Sequence, residues 1–199
     1  MVGKVKKYDR SSEDLGNIVG LEHLNLLIPD QQIAMNFYVG GLGLTRDPYM
    51  QTGLGNMWVN VGDSQFHLPT RGTQVLRGCV GLVMPDLKKL VERLKLVKKD
   101  LSGTKFGFKT PKGATYVEVT CPWGNKFRCY GAGKSTSPIV LGMSYNQFNV
   151  PVGTVKGIAK FYREIMGADV AMGRWDKAPA ARVCAGHRQE LIFSETRKK

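Results

Sequence analysis

The chain has 199 residues, 42% hydrophobic and 23% charged. That is enough for a sizeable core and too apolar for a disordered chain. It contains no run of about 18 apolar residues, which excludes a membrane-spanning helix. Lys and Arg number 29 against 16 Asp and Glu, a formal charge of +13 that favours anionic partners without dictating a fold. The first ten residues lack an apolar h-region, and Asp9, Glu13 and Asp14 argue against a transit peptide. The sequence therefore reads as cytoplasmic and not secreted, with an organellar matrix as the other compartment. The four cysteines form no C-x-x-C pair and are expected as free thiols.

Residues 1–17 read as a basic polar tail. Three segments that end on a proline then repeat: His23–Pro29, Cys79–Pro85 and Tyr145–Pro151. Each is a β-rich apolar run closed by a residue that cannot donate to a ladder. A helix is predicted after each. Ile33, Phe37 and Tyr38 share one helical face in the first, and Leu87, Leu90, Val91 and Leu94 in the second. Ile158, Phe161, Tyr162 and Ile165 do so in the third. Asp30 and Asp86 stand where N-caps belong, and Gly43 and Gly167 each lie six residues past a phenylalanine, where a helix end needs positive φ.

Short strands are expected after each helix. They are Leu44–Met50, Gly55–Val61 and Gln65–Leu68, then Thr104–Phe108, Ala114–Cys121 and Lys126–Tyr130, then Ala168–Trp175, Ala180–Ala185 and Gln189–Phe193. The recurring unit is βαβββ. Module 1 spans 18–70, module 2 spans 71–131 and module 3 spans 139–199. Residues 132–138, rich in Gly and Ser, read as a flexible linker, without the glycine-to-lysine spacing of a phosphate loop.

Leu21-Glu-His-Leu-Asn-Leu-Leu-Ile-Pro29, Phe37-Tyr38 with Gly41-Leu-Gly-Leu44, and Pro122-Trp-Gly-Asn-Lys-Phe127 make the chain resemble the vicinal oxygen chelate superfamily. These are the glyoxalase, bleomycin-resistance and extradiol-dioxygenase proteins. The resemblance implies an α+β fold of tandem βαβββ modules, in which two modules pair edge to edge into a curved sheet that cups a divalent metal. Modules 1 and 2 are expected to pair, leaving module 3 unpaired. Ligands would come from the first and last strands of each module, for Zn, Mn, Ni or Fe. Carried over by position, the resemblance makes His23, His67 and Cys79 the metal ligands. It puts Arg128 where a carboxylate is usual, with Tyr130 on the same sheet face. A guanidinium cannot coordinate a metal, so Arg128 and Tyr130 are assigned instead to holding an anionic substrate in the module 1/module 2 cup.

Two functions follow. One is a small-molecule, metal-dependent lyase, isomerase or dioxygenase with an eroded metal site. The other is a non-catalytic member serving as a basic binding or assembly subunit, in a ribonucleoprotein for instance. Residues 88–112 hold nine Lys/Arg against Glu92 and Asp100, which predicts non-specific RNA contact through Lys88–Lys112. His187 is expected at an exposed turn, and Glu190 or Glu195 as a last-strand carboxylate. The uncovered module 3 predicts a homodimer or a partner protein at its surface.

Overall fold

The structure is a computed structural model and describes residues 18–48, 53–135, 137–186 and 188–197. The predicted tail 1–17, the strand end at Met50, and His187 lie outside the described residues. The βαβββ order appears three times. Module 1 has β1 (His23–Asn25), α1 (Gln31–Ala34) running into a π-helical segment (Met35–Gly41), β2 (Thr45–Arg46), β3 (Asn56–Val61) and β4 (Ser64–Pro69). Module 2 has β5 (Gly78–Met84), α2 (Leu87–Leu96), β6 (Gly107–Lys109), β7 (Tyr116–Thr120) and β8 (Lys126–Gly131). Module 3 has β9 (Gly142–Pro151), α3 (Val155–Glu164), β10 (Val170–Trp175), β11 (Ala178–Cys184) and β12 (Glu190–Thr196).

The local signals work as the residues suggest. The Asp30 carboxylate accepts from the Ile33 amide, and that of Asp86 accepts from the amides of Lys88 and Lys89. Gly43 and Gly167 both take positive φ, at 73° and 56°, and so let the chain leave its helix. The linker is tied at its end, where the Ser137 hydroxyl donates to the Arg188 carbonyl.

The pairing of modules differs from expectation. Module 1 forms its own four-stranded sheet, in the order β1-β4-β3-β2. Modules 2 and 3 share an eight-stranded sheet in the order β10-β11-β12-β9-β5-β8-β7-β6. The seam is the antiparallel pair β5·β9, with Cys79 opposite Gln147 and Gly81 opposite Tyr145. Module 3 is therefore paired, with module 2, and among the described residues no strand pairs with the outer edge of β1 in module 1. The physical reason lies in the two seam strands. At 7 and 10 residues they can form a ladder, whereas β1 has only three. Gly78 and Gly81 also let the neighbouring backbone and the Tyr145 ring come close.

Module 1 meets module 2 through the helix layer instead. Phe37, Tyr38 and Leu42 share one core with Leu90, Leu94 and Phe127. Phe37 and Phe127 lie 5.7 Å apart between ring centroids. A smaller cluster of Val155, Ala159 and Ala181 holds α3 on its sheet. The outer face of α3 is uncovered, with Phe161 49% and Ile165 70% exposed. Among the described residues no helix is long and apolar enough to cross a membrane.

Candidate functional site

The concave face of the module 2/3 sheet holds a cavity of about 390 Å³ lined by Cys79, Glu118, Lys126, Arg128, Gln147, Asn149, Asp176 and Glu195. Its centre is an ion pair. Arg128, on β8, donates from Nη1 and Nη2 to the two oxygens of Asp176 at 3.0 and 2.6 Å. Asp176 and Lys177 form the β10–β11 turn, both at positive φ (48° and 68°), which brings the carboxylate over the sheet. Burial works against the charge on Arg128, but its neighbours, the hydrogen-bonded Asp176 carboxylate first among them, together more than offset this and raise the guanidinium pKa above its usual value. The same cation sits 5.3 Å from the centroid of the Tyr116 ring.

Around the pair, the Tyr130 and Tyr145 hydroxyls lie 3.2 Å apart, and Trp175 Nε1 donates to Gln147 Oε1 at 3.0 Å. Desolvation pushes the Cys79 thiol up to about 12, and it raises both tyrosines. Cys79 is thus a buried thiol beside a permanent guanidinium, and no histidine stands with it among the residues lining the cup. The cup has no excess of positive charge either, since Lys126 and Arg128 face Glu118, Asp176 and Glu195.

His23 and His67 lie elsewhere, on the module 1 sheet. Asn25 pairs with His67, so the two histidines fall on one face of neighbouring strands, 6.0 Å apart between ring centroids. Trp58 stacks on His67 at 4.0 Å and 7°, and meets His23 edge-on at 5.2 Å. Each imidazole has an orienting partner. His67 Nε2 donates to Asn56 Oδ1 at 3.1 Å, leaving Nδ1 as the lone-pair nitrogen. His23 Nδ1 donates to the Glu22 carboxylate, leaving Nε2. Partners of this kind fix the tautomer of metal-binding histidines. Desolvation, then the nearby His23, lower the pKa of His67, which favours the neutral form of its ring.

The five predicted site residues therefore divide between two sheets. Cys79 and Arg128 line the module 2/3 cup, with Tyr130 two residues along β8 from Arg128, while His23 and His67 share the module 1 face. The cup lies between modules 2 and 3, not 1 and 2. Among the described residues no three His, Cys, Asp or Glu side chains are grouped to hold a metal. The last-strand carboxylates of module 3 are already engaged, Glu190 with Arg182 and Glu195 with the Val155 amide. Asp176, Gln147 and Trp175 were not foreseen from the sequence. Only the turn pair Asp176-Lys177 could have hinted at them.

No protein-family model matches the chain, and no curated protein does. Solved structures do resemble it. A glyoxalase I variant from Zea mays superposes with a TM-score of 0.64 at 16% identity, over 90% of this chain and 68% of that one. Glyoxalase I from the same plant gives 0.59 at 18% identity, over 87% and 66%. A protein described as a putative dioxygenase from Bacillus subtilis gives 0.57 at 17%, over 88% and 63%. The chain thus spans about two thirds of the length of these structures. Three tandem βαβββ units, an edge-to-edge seam between two of them and these superpositions together show that the chain has the vicinal oxygen chelate, glyoxalase-like fold.

Proposed function

We propose that the protein serves small-molecule chemistry of the lyase, isomerase or dioxygenase kind from its module 1 histidine face, and that the module 2/3 cup binds a small polar molecule without a metal. The observation that carries this is the His23–His67 pair. Two imidazoles share one sheet face, each with a partner that orients its ring. They fit two positions around a divalent ion such as Zn, Mn, Ni or Fe, which when bound supplies a Lewis acid for vicinal oxygens. Glu22 and Asn56 hold the rings, and Trp58 walls the face with an aromatic surface on which a substrate can rest.

Water or a partner would fill the remaining positions. The backbone of His23 and Asn25 faces away from β4, because Leu26 N–H and the Glu22 carbonyl are the groups bonded to it. The β5·β9 seam is a template for what suits such an edge: the first strand of another βαβββ module. Likewise α2 packing on the π-helical segment is a template for what suits the Phe161–Ile165 face of α3. A further module, from a partner protein or a second copy, would meet one or both surfaces.

The cup supports the second, non-catalytic function for its own half of the molecule, because Arg128 and Asp176 occupy its centre. The test is metal uptake followed by elemental mass spectrometry. Zinc or nickel is expected to be retained by the wild type and by Cys79→Ala, and lost in His23→Ala and His67→Ala. Retention that ignores both histidines, or no retention at all, rejects the metal assignment.

A further inference from the structure

The basic stretch singled out in the sequence is not a uniform charged face. In α2, Leu90 and Leu94 enter the main core, while Leu87 and Val91 are only half-buried at its margin. They face the start of β7, and between helix and strand runs a groove of about 560 Å³ floored by Leu87, Val91, Ala114 and Val117, while the Tyr116 ring turns to the other face of the sheet toward Arg128. This volume lies within the range of roughly 300–1,000 Å³ usual for small-molecule sites. Three lysines line its rim, Lys88 and Lys95 from α2 and Lys134 from the turn after β8. Glu92 is the one acid in the lining, and Asp86 caps the helix close by. Among the described residues none of the three ammonium groups is in an ion pair.

A plain phosphate-binding face needs cations but no apolar floor, and a gap in the core needs a floor but no cations. The combination selects a ligand with two ends. We propose that this groove binds a small amphipathic anion, with an alkyl chain on the Leu87–Val91–Val117 floor and an anionic head among Lys88, Lys95 and Lys134. Chain burial would supply most of the affinity and the lysines the polarity of insertion, because exposed charges contribute less than apolar area.

Decanoate is a suitable probe, with acetate and decanol as controls for tail and head. Calorimetry should show saturable one-site binding of decanoate, and neither control should match it. Amide shifts should concentrate at Val91, Tyr116 and Val117. The double variant Lys88→Glu/Lys95→Glu changes only exposed side chains and should melt like the wild type. It should bind decanoate about ten-fold more weakly, a 1.4 kcal/mol change. The proposal is overturned if decanoate binds no better than acetate, if decanol equals it, or if the double variant leaves affinity unchanged. Binding to anionic vesicles or to RNA without binding to decanoate would also overturn it, and would assign the lysines to a surface role.

Discussion

The seam between modules 2 and 3 can be broken by single methyl groups, and their effects can be ranked from the structure. At Gly78 an added Cβ would land inside the Gln147 carbonyl, with even its carbon only 2.7 Å away. Backbone cannot rotate aside, so the end of β5·β9 must open. Overpacking costs about 1–3 kcal/mol and two lost ladder bonds about 1 kcal/mol each, so Gly78→Ala should cost about 4 kcal/mol. At Gly81 the added methyl meets the Tyr145 ring, three of whose atoms lie within 2.5 Å. A ring can swing away. That loses the Tyr130–Tyr145 hydroxyl contact and the Tyr145–Trp175 edge contact, and alanine recovers a few tenths of a kcal/mol through the unfolded chain. Gly81→Ala should therefore cost about 2 kcal/mol. A methyl added at Gly107, in β6, would meet no atom within 4 Å, so Gly107→Ala serves as the control, with a change below about 0.5 kcal/mol. Urea unfolding gives the three values, and thermal melting should show Gly78→Ala lower by about 10 °C. A Gly78→Ala protein as stable as the Gly107→Ala control would refute the close strand approach, and with it the pairing of modules 2 and 3.

Three further outcomes are expected. Asp176→Asn keeps a residue that tolerates the turn's positive φ and removes the charge facing Arg128. It should cost about 1 kcal/mol, well below a fully buried pair because Asp176 is 46% exposed, and the cost should shrink in high salt. His67 has a lowered pKa, so the unfolded chain takes up its proton first. In metal-free protein its contribution to stability should be complete above about pH 6.5 and lost as pH falls below that, a decline that His67→Gln removes in denaturation curves. Of the four thiols only Cys184 is exposed. Iodoacetamide should label it alone in native protein, and labelling at Cys79 without denaturant would contradict a buried thiol whose pKa is near 12.

Local order was legible in the chain because its causes are local. Asp30 and Asp86 cap helices as their positions suggest, Gly43 and Gly167 end them, and the apolar stripe of α2 identifies its buried face. The repeat could also be read, since each module writes the same alternation of strand and helix signals. Which module meets which could not be read the same way. Ladder hydrogen bonds are made by backbone that every strand carries, so an apolar first strand specifies burial and leaves its edge partner open. One signal was present. Counting back from the aligned prolines, Gly78 and Gly81 of module 2 correspond to Glu22 and Asn25 of module 1, so only β5 has the bare backbone that a close seam requires. The same reason divided the candidate site. Equivalent positions in a repeat become neighbours only when their modules pair, so His23 and His67, on adjacent strands of one module, stayed together. Cys79 and Arg128 went with module 3, where Asp176 arrives from a turn 48 residues further along and supplies the counter-charge that only the folded sheet could bring there.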